Sequence, residues 1–257
     1  MADSLTAAVA SGERLVGTVL TLPDVATAEL LSEPFDLVWI DLEHGALDRR
    51  DAQEMIIGAQ AGGAFGLVRL PATAGALITA ALDGGADGIV IADVREPDAV
   101  EALVSALAHP PEGTRGWGPR RLGSRHRSDP PPPWKPSLWL QVESRTAVER
   151  IEQIAAVPGI DVICIGTADL SFALGSPLRM DDGELLDAVR TVRAAAAQNG
   201  VAFALAGPLD SCPAALLEGT QVLVHSTDAK LCAAAVDAAS GWLREAIGIN
   251  GKDEPSS

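Results

Sequence analysis

LWLQVESRTAVERIEQIAAVPGIDVICIGTADLS, residues Leu138–Ser171, reads as one β/α/β unit. A short apolar run, Leu138–Val142, ends in a carboxylate at Glu143. A segment of helical period follows, and a second apolar run, Val162–Ile165, leads to a second carboxylate at Asp169. Short continuous apolar runs belong to strands buried on both faces of a parallel sheet. Thr146 and Glu149 have the spacing of a capping box ahead of a helix over Val148–Val157. Two carboxylates just past successive strands offer a divalent cation hard oxygen ligands on rigid supports, with positions left for water and substrate.

The alternation extends in both directions. Strand-like runs occur at Val16–Thr21, Leu37–Asp41, Gly66–Leu70, Gly88–Ala92, Val201–Leu205 and Val222–His225. Helix signals lie between them: Asp48 ahead of Arg49–Ala61, Thr73 ahead of Ala74–Leu82, and left-handed C-caps at Gly84-Gly85 and Asn199-Gly200. Eight such alternations predict a (β/α)8 TIM barrel as a single domain over 1–249, with a disordered tail at 250–257. A doubly wound open sheet is the runner-up, weakened because no Gly-x-Gly-x-x-Gly turn follows the first strand.

The 257 residues suit a single α/β barrel. A net charge of −16 argues against nucleic acid and anionic membranes as general partners, since both need a basic footprint. Three scattered cysteines, Cys164, Cys212 and Cys232, favour a reducing compartment over a disulfide framework or a zinc cluster. Asp3 and Glu13 flank a short Ala/Val stretch unlike a signal peptide, and no run is long enough to span a bilayer, so a soluble cytoplasmic protein is expected. Arg115, Arg120, Arg121, Arg125 and Arg127 crowd into Gly113–Arg127. They form either a solvated loop or a positive field for a small carboxylate or phosphate ligand. The Pro130–Pro133 run before Trp134 reads as a spacer.

Barrel active sites lie at the C-terminal ends of the strands. Strand two runs into Asp41-Leu-Glu-His-Gly45, strand three ends near Arg69, strand five reaches Glu143 and strand six leads to Asp169. A histidine, an arginine and two carboxylates on one rim mark a site of chemistry.

These stretches give the chain a resemblance to the HpcH/HpaI family of metal-dependent class II pyruvate aldolases, which also holds the citrate lyase β-subunit-like enzymes. It rests on Phe35–His44, Val68–Pro71, Ala81–Gly84, Pro111–Gly116, Gln141 with Glu143, and Gly166–Ser171. The resemblance implies Glu143 and Asp169 as ligands of Mg²⁺, Mn²⁺ or Co²⁺, His44 as acid/base and Asp83 as the carboxylate supporting it. It implies Arg69 at the enolate oxygen, Gln141 and the Ala168–Asp169 backbone at the pyruvyl carboxylate, and supporting roles for Asp41 and Glu43. It further implies retro-aldol cleavage of a 4-hydroxy-2-oxo acid to pyruvate and an aldehyde, 4-hydroxy-2-oxoheptanedioate aldolase-like. The assembly implied is a homo-oligomer, often a hexamer built as a trimer of dimers, with the apolar Leu231–Ile247 segment and Trp242 packed on a neighbour.

Lysine content agrees with the metal route. Lys135, Lys230 and Lys252 all fall away from the predicted strand ends, where a Schiff-base lysine would stand. The chain departs from the family at Thr167, where proline is usual; because proline fixes φ and lacks an N–H, Thr167 is expected either to change the approach to Asp169 or to donate an extra hydrogen bond. It departs again at Ala206-Gly-Pro-Leu209 and at His225-Ser-Thr-Asp228, leaving His225 as either barrel filling or a contact to the aldehyde side. Two further readings remain: an enolate formed by decarboxylating oxaloacetate, and a non-catalytic barrel that binds a small acid. The latter predicts loss of His44, Arg69, Glu143 or Asp169, and all four are present.

Overall fold

The computed structural model describes residues 4–72, 75–118, 121 and 135–249. Thr73, the arginines at 120, 125 and 127, the Pro130–Trp134 run and the tail at 250–257 lie outside the described residues. Eight parallel strands close into a barrel in chain order: β1 Leu15–Leu20, β2 Leu37–Asp41, β3 Phe65–Pro71, β4 Gly88–Ala92, β5 Ser137–Val142, β6 Val162–Gly166, β7 Ala202–Gly207 and β8 Val222–Thr227. The expected (β/α)8 TIM barrel is therefore the fold. No helix among the described residues is long and apolar enough to cross a membrane.

Helices α1 Leu5–Ala10, α2 Val25–Ser32, α3 Arg49–Ala61, α4 Gly75–Asp83 and α5 Pro97–Leu107 precede β5. After it come α6 Arg145–Glu149, α7 Ile151–Ala155, α8 Thr167–Ala173, α9 Gly183–Gln198, α10 Ala214–Leu217 and α11 Asp228–Ala246. Asp48 caps α3 as expected, and Asp51 returns its carboxylate to the Asp48 N–H at 2.8 Å. Gly85 and Gly200 adopt φ of 93° and 68° just past their helices, the left-handed C-cap conformation. The single helix expected over Val148–Val157 is instead two, broken at Arg150. Its cap is Ser144, whose hydroxyl accepts from the Ala147 N–H, rather than Thr146.

Side-chain alternation divides each strand between two cores. Val38, Ile40, Val68, Leu70, Leu138 and Leu140 face the helices. Leu37, Trp39, Leu67, Val90, Trp139, Val162 and Cys164 fill the barrel, and Leu5 and Val9 of α1 pack into that inner cluster. Trp39 and Trp139 meet edge to face inside it, with centroids 6.0 Å apart. One further step of the inward parity turns the layer polar: Trp39 gives way to Asp41, Leu67 to Arg69, and Trp139 to Gln141 and then Glu143. The strand period thus places the site on the floor of the C-terminal rim.

Candidate active site

Asp41 and Arg69 are register partners on β2 and β3. Arg69 donates from Nε to Asp41 Oδ1 at 3.0 Å and from an Nη to Oδ2 at 2.6 Å, with both side chains nearly buried. Burial works against both charges, but the paired hydrogen bonds outweigh it: the Asp41 carboxyl is held below the usual range and the Arg69 guanidinium is pushed above its own. Asp41 Oδ1 also accepts from the backbone N–H groups of Glu43 and His44, at 3.0 and 3.3 Å, fixing the turn that carries both.

Glu43 bridges this pair to the histidine. Its Oε2 lies 3.5 Å from Arg69 Nε and 3.7 Å from His44 Nε2. Burial first, then the neighbouring Asp41 and Asp169, raise its carboxyl above the ordinary value against the pull of Arg69 and His44. His44 stands at the mouth with its side chain 63% exposed.

Glu143, just past β5, is buried, and its Oε1 has no hydrogen-bond partner among the described residues. Burial, then the charges of Asp169 and Glu43, push its carboxyl up to about 8, with Arg69 opposing. Gly166 makes room for this group. A Cβ there would stand 2.5 Å from Glu143 Oε1 and 2.7 Å from Gln141 Nε2, so any larger residue makes both side-chain ends shift where they cross the end of β6. Asp169 follows in the first turn of α8. Thr167 donates its hydroxyl to the Ala206 carbonyl at 3.2 Å, lacing the ends of β6 and β7 and making the extra hydrogen bond expected of it.

A buried carboxylate with an orphaned oxygen, and with Asp169, Glu43 and Asp93 in its field, suits a divalent cation. The donor set is hard oxygen. No group of three or more His, Cys, Asp or Glu that could hold a metal ion is found among the described residues.

His44, Arg69, Gln141, Ala168 and Asp169 line one cavity of about 470 Å³ at this rim. Asp83 is placed elsewhere. It ends α4, where its Oδ1 accepts from an Arg115 Nη at 2.8 Å, and it has no contact with His44 among the described residues. The acid beside the imidazole within one chain is Glu43. Two of the clustered arginines are fasteners rather than a ligand field: Arg115 is buried against Asp83, and Arg121 donates to Gln60 Oε1 and the Gly84 carbonyl.

The sequence reading missed Asp93, just past β4, whose charge reaches Glu143. It also leaves out Lys230, which is not at the C-terminal end of any predicted strand. The structure sets Lys230 three residues beyond β8, lining the same cavity from the first turn of α11. Its side chain is exposed, unlike the desolvated lysine that Schiff-base chemistry uses.

Residues 22–235 match the HpcH/HpaI aldolase/citrate lyase family. The chain is 36% identical over 216 residues to the 4-hydroxy-2-oxovalerate aldolase of Rhodococcus jostii, covering 77% of this chain and 81% of that one. It is 35% identical over 170 residues to the 2-dehydro-3,6-dideoxy-6-sulfogluconate aldolase of Pseudomonas putida, covering 62% of this chain and 65% of that relative's length. The crystal structure of an HpcH/HpaI aldolase/citrate lyase family protein from Burkholderia cenocepacia superposes with a TM-score of 0.85 at 28% identity, covering 95% of this chain and all of the other.

Proposed function

Since the chain belongs to the HpcH/HpaI aldolase/citrate lyase family, we propose that it is a metal-dependent pyruvate aldolase cleaving a 4-hydroxy-2-oxo acid. The relatives are named as aldolases of 2-oxo acids, which makes this chain a carbon–carbon lyase. The observation that carries the metal reading is Glu143, a buried carboxylate with a free oxygen beside Asp169 and Arg69.

Glu143 and Asp169 would hold Mg²⁺, Mn²⁺ or Co²⁺, which supplies a Lewis acid to the substrate's 2-oxo group. The chain's own residues do the rest. Gln141 and the backbone at Ala168–Asp169 orient the carboxylate end. His44 takes the proton from the 4-hydroxyl; the C3–C4 bond breaks, the aldehyde leaves, and the electron pair passes into the 2-oxo group. Arg69, fixed by Asp41, presents its charge to the developing enolate, a preorganised contribution of about 10²–10³ in rate. Glu43 stabilises the imidazolium through its position beside Nε2. Returning a proton to C3 completes pyruvate.

A second reading keeps the same enolate and starts from oxaloacetate. Decarboxylating oxaloacetate reaches the same enolate without a base. The two part on His44→Ala, which abolishes aldol cleavage and spares decarboxylation.

We also propose that the enzyme is a homo-oligomer. In α11 only Asp228 is buried, while Val236, Trp242 and Leu243, with Ile247 just beyond, are 56–72% exposed. A second copy of the chain is the cover this apolar helix calls for.

The activity is tested by supplying 4-hydroxy-2-oxopentanoate to chelator-treated protein and then restoring each metal. Pyruvate release only after restoration is expected. Release at an equal rate without metal would overturn the reading.

A further inference from the structure

Three neighbouring strands lead into carboxylates at this rim: Asp93 past β4, Glu143 past β5 and Asp169 after β6. The last two are the proposed metal ligands, and the first has no part in the enolate chemistry. Its position comes from an irregularity in the ladder. The register Ile91↔Leu140 would carry the Asp93 N–H to the Gln141 carbonyl, but the Val94 N–H donates there instead, at 3.3 Å. One extra residue therefore sits on the β4 side, a bulge at Asp93. Asp93 takes φ of 48° to accommodate it, a left-handed conformation in a residue other than glycine. Val94 is buried and anchors the far side of the bulge.

Arg95 holds the bulged carboxylate with both of its ends engaged. Its Nε donates to Asp93 Oδ1 at 2.9 Å, and an Nη donates to Oδ2. Both side chains are partly open to solvent, Arg95 the more so, and a pair of this kind adds little to stability. Its place gives it weight. Asp93 stands across the β4–β5 ladder from the segment that carries Gln141 and Glu143, and its negative charge favours the protonated form of Glu143. Glu143 is buried, with Oε1 unpartnered among the described residues, so little solvent lies around the carboxylate that feels this charge.

We infer that Asp93 sets the affinity of the Glu143–Asp169 centre for its divalent cation through charge, without ligating the ion, and that Arg95 moderates that charge. The inference rests on the metal reading of the site. Arg95 occupies both Asp93 oxygens, which leaves Glu143 and Asp169 as the ligands. A negative charge behind a ligand carboxylate attracts a cation, and the repulsion among crowded carboxylates is relieved when the cation arrives. The guanidinium opposes the same field. The two residues therefore act with opposite sign on one observable.

The test is calorimetric titration of Mn²⁺ into the chelator-treated full chain, as wild type, Asp93→Asn and Arg95→Gln, at low and at high salt. Asparagine adopts the left-handed conformation readily, so the first substitution removes the charge and keeps the bulge. Asp93→Asn is expected to weaken Mn²⁺ binding about ten-fold, and Arg95→Gln to tighten it about three-fold. Both differences shrink at high salt, which a loss of loop shape would not do. Unchanged affinity in Asp93→Asn, or weakened binding in Arg95→Gln, would overturn the inference. Wild-type binding that ignores Asp93 removes this inference alone, and a folded wild type that binds no Mn²⁺ removes the metal reading with it.

Discussion

Asp41 and Arg69, register partners at the tops of β2 and β3, share two hydrogen bonds in a nearly solvent-free position. The pair anchors the cation that faces the enolate and, through the Glu43 and His44 N–H groups, the turn that carries the base. Removing one partner strands the other charge. Asp41→Ala is expected to cost about 3–5 kcal/mol in urea unfolding, with a larger proportional loss in kcat than in KM. A loss under 1 kcal/mol would show that the pair is not a structural anchor.

Acid sensitivity follows from the same pair. The folded-state Asp41 carboxyl lies below its unfolded value of about 3.9. Between the two values the unfolded chain binds the extra proton. The stabilisation is therefore fully present above about pH 3.9 and is lost as pH falls through the folded value. Relative to wild type, Asp41→Asn is expected to show a shallower fall in stability across this window in urea titrations at stepped pH.

Gly166→Ala tests the crossing of Glu143 and Gln141. The added Cβ meets the Glu143 carboxylate at 2.5 Å. Displacing groups at the reacting centre by about 1 Å costs on the order of 10² in rate, so pyruvate exchange should fall by that factor. Calorimetric titration should show weakened Mn²⁺ binding, with the far-ultraviolet circular dichroism unchanged.

Helix α11 provides a test of assembly. Trp242 is 67% exposed in the single chain. Trp242→Glu is expected to shift the mass measured by light scattering toward a smaller species. A monomeric wild type would remove the oligomer proposal.

The barrel was legible because most strands are short runs buried on both faces, and because on β2, β3 and β5 inward parity carries an apolar core position into a polar rim position. The predicted strand ends bring Glu143, Asp169, His44 and Arg69 to one rim, and the roles proposed for them rest on the family resemblance. The Asp83–Arg115 pair could not be read, since it depends on how the chain after α5 docks against the end of α4, and no local period records that. Lys230 was missed for a related reason. The run Val222–His225 looks finished at His225, but a bulge extends β8 to Thr227 and brings the next helical turn to the cavity. The break at Arg150 also left no signal, because the apolar period continues through it.

The most direct test follows the methyl protons of pyruvate in D₂O by NMR, with chelator-treated protein and then with Mg²⁺, Mn²⁺ or Co²⁺ restored. Formation of an enolate at Glu143, Asp169 and Arg69 predicts metal-dependent loss of the methyl signal, slowed at least about 10²-fold by Glu143→Ala. A methyl signal that persists with every metal, in a folded protein, would contradict the account.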